Sequence, residues 1–253
     1  MNEPDRIRIL GIPVDMVDNS QAMKIFEGLM LTPECDLIVT PNSEIIMNAT
    51  KDSALKFLIE EANLIIPDGI GIVYASRFKG VPLKERVTGV DFLSQAFEYL
   101  RDHGQSVYLL GSKPANELRD SVAALAGEKI KETYPGIRIA GTHHGYFSEQ
   151  DEADLVEDIN NSGADFLCVA LGAPKQEKFI YEHKDQFTNV RAAIGVGGSL
   201  DVWAGTVKRA PLFYQKHGME WLYRFAREPS RYKRIAQLPL FMVKVIKEGK
   251  ELK

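Results

Sequence analysis

Short apolar runs recur along the chain, and four of them break off into a polar or glycine-rich turn. They are Leu37-Ile-Val-Thr-Pro-Asn-Ser-Glu44, Leu64-Ile-Ile-Pro-Asp-Gly-Ile-Gly71, Phe166-Leu-Cys-Val-Ala-Leu-Gly-Ala-Pro-Lys-Gln-Glu177 and Ala192-Ala-Ile-Gly-Val-Gly-Gly-Ser-Leu-Asp201. An unbroken apolar run is the signature of a strand buried on both faces, as in a parallel sheet. Further strands are predicted at 106–110 and 137–140. Between the runs lie amphipathic stretches with helical spacing. Helices are predicted from Asn19, with Asn19 or Ser20 as N-cap, near 43–50 and 52–61, and from about Gly69. Others are predicted over 89–103, 114–133, 149–162 and 174–187. Near the N-terminus, Arg6-Ile-Arg-Ile-Leu-Gly-Ile-Pro-Val14 alternates polar and apolar residues, as an edge strand or hairpin does. This rhythm predicts an α/β fold, a mostly parallel Rossmann-like sheet with helices on both faces.

The pattern changes near Lys208-Arg-Ala-Pro211. Residues 208–253 hold twelve Lys/Arg against four Asp/Glu, a balance of +8. The preceding 207 residues carry −12, which gives the net charge of −4. An acidic catalytic domain over 1–207 and a basic amphipathic appendage over 208–253 are therefore expected. Arg224, Arg227, Arg231 and Arg234 would form one stripe if the helix were continuous, although Pro229 interrupts or restarts it. The appendage reads either as a helix packed on the body or as a segment that lies on an anionic membrane surface. No apolar run reaches the length of a membrane span, and Met1-Asn-Glu-Pro-Asp-Arg6 has no signal-peptide core. Cys35 and Cys168 lack ligand spacing and read as buried, reduced thiols.

In an open α/β sheet, ligands bind beyond the carboxyl ends of the strands, so the four turns are candidates for one shared site. Asp68 suits a general base and equally suits a helix cap. Asn42 is open to the same two readings, cap or sugar contact. Pro174 at the start of a helix would leave free N–H groups for an anion beside Lys175 and Gln176. The glycines at 195–198 would let a phosphate approach the backbone, with Asp201 able to accept from a ribose or base. No Walker A or G-x-G-x-x-G sequence occurs, and no Asp-x-Asp pair. His143-His144 reads as a surface loop rather than a metal site.

Together these segments resemble the WecG/TagA/CpsF family of bacterial glycosyltransferases, also called glycosyltransferase family 26. The carriers are Thr40-Pro-Asn42, Pro67-Asp-Gly69, Arg86-Val-Thr-Gly-Val-Asp91, Leu110-Gly-Ser112, Gly145-Tyr-Phe147, Gly172-Ala-Pro-Lys-Gln-Glu177, Gly195-Val-Gly-Gly-Ser199 with Asp201, and Lys208-Arg-Ala-Pro211 followed by Glu220-Trp-Leu-Tyr-Arg224. The resemblance covers nearly the whole chain. It implies transfer of N-acetylmannosamine, with inversion and without a metal, from UDP-N-acetylmannosamine to the 4-hydroxyl of N-acetylglucosamine on undecaprenyl diphosphate. The product would be a β(1→4) linkage unit for wall teichoic acid.

Asp68 would then be the base, and Thr40, Asn42 and Gln176 would position the sugars. Tyr146, Gly172, Lys175, Gly197, Gly198, Asp201 and Arg86 would hold the UDP-sugar. Arg224, Arg227, Arg231 and Arg234 would meet the lipid diphosphate and the inner face of the cell membrane, as in a peripheral cytoplasmic enzyme. No cofactor and no nucleic acid are implied, and a homo-oligomer is compatible with the reading. Two rivals are a different donor, UDP-N-acetylmannosaminuronic acid or a UDP-hexose, and a non-catalytic UDP-sugar-binding protein.

Overall fold

The computed structural model describes residues 4–227 and 237–249. Six parallel strands form the central sheet: β3 (Asp36–Val39), β4 (Leu64–Ile65), β5 (Ser106–Gly111), β6 (Arg138–His143), β7 (Phe166–Ala170) and β8 (Ala192–Gly195). Their spatial order is β4-β3-β8-β7-β5-β6. Strands β1 (Arg6–Ile9) and β2 (Ile12–Asp15) form the expected N-terminal hairpin, apart from that sheet. It is tied to the sheet by Asp15, whose carboxylate accepts from Arg6 Nε at 2.7 Å and from the Ile65 amide at 2.7 Å.

Alternation along the strands divides the core in two. Leu37, Val39, Ile65, Tyr108, Leu110, Leu167, Val169 and Ala193 face one layer. That layer contains the hairpin, α2 (Ser43–Ala49), α3 (Ser53–Glu60), α7 (Glu152–Ser162) and α8 (Lys175–His183). Their intervening neighbours Ile38, Leu64, Val107, Leu109, Phe166, Cys168 and Ile194 face the other. There they meet α1 (Asn19–Leu29), α5 (Gly89–Asp102), α6 (Val122–Thr133) and the short α9 (Ser199–Trp203). Phe26 on α1 packs edge-on against Phe92, Tyr99 and Phe166 at 5.1–5.6 Å between centroids. Both cysteines are buried and unpaired, and burial pushes the Cys35 thiol up to about 12.

Several expected boundaries shift. The cap of α1 is Asp18, not Asn19 or Ser20; it forms a capping box with Gln21. Residues 114–121 are not helical. Asn116 and Arg119 close a turn there, and Ser121 caps α6 through the Ala124 amide. Strand β6 runs on to His143, so that histidine ends a strand rather than sitting in a loop.

Of residues 208–253, the described part forms α10 (Leu212–Lys216), α11 (Glu220–Arg227) and α12 (Gln237–Glu248). Helix α12 lies on α2 and on α4 (Ile70–Phe78), with Phe241 and Val245 fully buried in the first layer. Glycine at 71 leaves room for Leu238, whose Cδ1 would sit 2.7 Å from a Cβ there. Glu248 Oε2 accepts from Lys79 Nζ at 3.0 Å and from the Leu10 amide at 3.1 Å. Leu240, Val243 and Ile246 remain about half exposed on another face. The expected arginine stripe is described only in part. Arg227 is exposed over the Tyr223 ring, Arg224 lies in α11 without a described side chain, and Arg231 and Arg234 lie outside the described residues. Among the described residues no helix is long and apolar enough to cross a membrane.

Candidate functional site

Every turn singled out in the sequence leaves the carboxyl end of a parallel strand, so all lie along one rim of the sheet. From β3 across β8 and β7 to β5, neighbouring turns depart toward opposite faces. After β3 the chain enters α2 in one layer, and after β8 it enters α9 in the other. The same split separates α8, after β7, from α6, after β5. Such divergence opens a crevice at the strand ends.

Hydrogen bonds stitch this rim together. Thr40, at the end of β3, is buried and donates its hydroxyl to the Gly195 carbonyl at 3.0 Å. Gln176, in the first turn of α8, is only 2 % exposed. Its Oε1 accepts from the amides of Gly172 and Gly197, each at 3.1 Å, so one side chain clamps the β7 turn to the β8 turn. A Cβ at Gly195 would lie 2.6 Å from Gln176 Nε2, so glycine there lets the amide lie against the strand. Farther along, Ser112 after β5 donates to Asp201 Oδ1 at 3.2 Å, and its carbonyl accepts from the Gly145 amide at 2.9 Å. Ser112 has φ of 58°, an uncommon backbone for serine.

At the other end of the rim lie Asn42 and Asp68. Asn42 caps α2, its Oδ1 accepting from the amides of Glu44 and Ile45 at 2.9 and 3.1 Å. The cap of α4 is Gly69, with φ of 91°, and not Asp68. Asp68 thus sits one residue before the cap, half-buried and engaged with its surroundings. A Cβ on Gly69 would stand 3.7 Å from Asn42 Cβ, which places the β3 and β4 turns in contact.

Two helices present first turns without a side-chain cap toward this rim, α4 behind Gly69 and α8 behind Pro174. Each leaves backbone N–H groups and the positive end of a helix dipole for an anion. Lys175 is exposed at the start of α8. Arg86 Nη1 lies 3.0 Å from Glu220 Oε2 of α11, which brings the region after Lys208 to the same side of the body. Arg209 Nη2 holds Asp91 Oδ1 at 2.6 Å, and Asp91 Oδ2 accepts from Thr88, the cap of α5. Tyr146 follows Gly145 and is exposed. Among the described residues no group of three or more His, Cys, Asp or Glu side chains converges as a metal site would require.

The structure therefore gathers the predicted residues along one edge but gives them different burial. Asp68, Asn42, Arg86, Lys175, Tyr146 and Asp201 reach solvent, whereas Thr40 and Gln176 are enclosed and hold turns in place. Sequence reasoning missed the roles of Glu177, which is 1 % exposed, and of Glu220, the partner of Arg86. A signal for Glu177 existed. It lies three residues before the buried Ile180, on the apolar face of α8.

Comparison with known proteins covers nearly the whole chain. A sequence model described as "Glycosyl transferase WecG/TagA/CpsF family" matches residues 7–253. The chain is 35% identical over 251 residues to an N-acetylglucosaminyldiphosphoundecaprenol N-acetyl-beta-D-mannosaminyltransferase of Staphylococcus aureus strain MRSA252, covering 98% of this chain and 95% of that one. It is 36% identical, with the same coverage, to the protein of that name from strain MW2.

Proposed function

Because the chain belongs to the glycosyl transferase WecG/TagA/CpsF family, we propose that it transfers N-acetylmannosamine from UDP-N-acetylmannosamine to N-acetylglucosamine on undecaprenyl diphosphate. The observation that carries this reading is the match to transferases of that name across 98% of the chain. It takes in every turn of the strand-end rim.

The chemistry proposed is a single displacement with inversion. The acceptor 4-hydroxyl oxygen attacks the anomeric carbon as the bond to the UDP oxygen breaks. The hydroxyl proton passes to the Asp68 carboxylate. Asp68 suits this role because it stands half-buried at the end of the β4 turn, next to the β3 turn that carries Asn42. Negative charge grows on the departing diphosphate and needs preorganised donors. The first turns of α4 and α8, with Lys175 and Arg86, are the groups available to supply them. Asn42 contacts a sugar from the cap of α2, while Thr40 and Gln176 act by fixing the turns. Asp201 and Tyr146 meet the nucleoside, and no divalent ion is required.

The acceptor is a lipid, so the chain works at the inner membrane face as a peripheral protein. The exposed side chains Leu240, Val243 and Ile246 of α12 and Trp221, Leu222 and Phe225 of α11 are the apolar surface on offer. Arg224, Arg227, Arg231 and Arg234 supply charge for headgroups and the lipid diphosphate. The decisive experiment pairs a short-chain lipid-diphosphate N-acetylglucosamine with UDP-N-acetylmannosamine, UDP-N-acetylmannosaminuronic acid and UDP-hexoses, with and without EDTA. Disaccharide should form with the first donor and persist in EDTA. Turnover with another donor alone, or none with any, overturns the assignment.

A further inference from the structure

Glu177 stands in the first turn of α8 with its side chain turned inward, 1 % exposed. Oε1 accepts from Gln176 Nε2 at 2.8 Å. Oε2 is buried and has no hydrogen-bond partner among the described residues. Burial pushes this carboxyl above its ordinary range, opposed in part by the bond from Gln176. A charged group is rarely enclosed without a paired ion, so the position calls for a reason.

The reason lies in the neighbouring amide. Gln176 Oε1 can join the Gly172 and Gly197 amides only while Nε2 points away from them. Turned over, the amide would present N–H to two N–H donors and lose both bonds. In the observed orientation Nε2 is enclosed against Gly195, where a Cβ would stand 2.6 Å from it. It needs a buried acceptor, and Glu177 Oε1 is that acceptor.

We propose that Glu177 is a positioning residue for donor binding: it holds the Gln176 amide in the orientation that locks the β7 turn to the β8 turn. The inference rests on the donor reading above, in which these two turns meet UDP. Glu177 itself touches no substrate. It acts through Gln176, and what matters is an acceptor at its place, not a charge.

The test is UDP affinity of the full chain, by calorimetry, for Glu177→Met, Glu177→Gln, Gln176→Met and the Glu177→Met/Gln176→Met pair. Glu177→Met keeps length and volume but removes the acceptor. It should weaken UDP binding about tenfold, the order expected when a buried hydrogen-bonding group loses its partner. Glu177→Gln keeps an acceptor and should rescue binding to within about twofold. The double variant should be no weaker than Gln176→Met alone, because both changes break one unit.

A merely structural residue would lower the melting temperature without this non-additivity and without rescue. If Glu177→Met does not fold, Glu177→Asp against Glu177→Gln makes the same comparison, since the shorter acid draws its oxygen away from Nε2. Losses that multiply in the double variant, or Glu177→Gln as weak as Glu177→Met, overturn the proposal. Wild-type binding that Glu177→Met leaves unchanged removes the inference alone. A wild-type chain that does not bind UDP removes the donor reading and the inference with it.

Discussion

Arg86 and Glu220 are paired at 3.0 Å, each side chain 15 % exposed, although 134 residues separate them in sequence. The pair joins the body to α11 through a cation that the proposed reaction needs for the donor diphosphate. The two members should therefore behave differently. Arg86→Ala should weaken UDP affinity about tenfold or more, the scale of a charge-assisted hydrogen bond. Glu220→Ala should leave that affinity intact or improved, because the guanidinium loses a competing carboxylate. Both should expose the 217–227 region to limited proteolysis. Calorimetry with UDP and a protease time course separate the effects; equal loss of affinity in both variants contradicts a donor role for Arg86.

Asp68→Asn should lower kcat by roughly 10²–10⁴ while UDP affinity and melting temperature stay close to wild type. The substitution preserves shape, and the cap of α4 belongs to Gly69. Single-turnover kinetics alongside UDP binding give the answer. Near wild-type turnover would remove Asp68 as the base.

Glu177 should leave a mark on stability against pH. Its folded-state affinity for a proton is raised above the ordinary value of 4.5, with burial as the main cause. Below that value the folded and unfolded chains both hold the proton. As pH rises from there through the raised folded value, the unfolded chain ionises first and the folded state loses stability. Glu177→Gln removes this component. Its melting temperature relative to wild type should rise as the pH is taken upward from about 4.5. A difference that stays flat over that range would show that Glu177 ionises normally.

Helix α12 carries two separable faces. Phe241→Ala should cost about 3–5 kcal/mol, since that ring is fully buried against α2 and α4. Replacing Leu240, Val243 and Ile246 by serine should barely change the melting temperature, yet should weaken binding to vesicles containing anionic lipid. Sedimentation with vesicles and thermal melts on the same variants test both halves. Unchanged vesicle binding in the triple variant would place the membrane contact elsewhere. Deleting everything from Lys208 onward is a poorer experiment, because it strips Phe241 and Val245 from the core along with the exposed face.

The strands were legible because buried parallel strands announce themselves as apolar runs, and the parallel sheet followed from their rhythm. Asp68 and Asn42 were legible as site candidates because each ends such a run. The division of labour among the candidates was not. Thr40 and Gln176 are polar, and their enclosure depends on partners distant in sequence, Gly195 for one and Gly197 for the other. Local pattern is blind to such pairings. Residues 114–121 misled because Pro114 to Leu118 suits a helix start, while the true cap, Ser121, comes later. The tail pattern showed a basic, apolar segment and left open which apolar residues turn inward. Phe241 and Val245, four apart, are the ones that do.

The strand order carries a consequence for how the protein is made. Strand β8 is the last of the sheet to leave the ribosome, yet it lies between β3 and β7. A nascent chain ending before residue 192 can pair β4 with β3, and separately β5 with both β7 and β6. It then holds two fragments of sheet with facing edges open. Those edges are apolar and unpaired, the condition under which incomplete chains stick to one another. Arrival of Ala192 to Gly195 fills the gap, and the same stroke delivers the Gly195 carbonyl to Thr40 and the Gly197 amide to Gln176. Closure of the sheet and completion of the cleft are one event, so no shorter translation product can carry a half-working version of it.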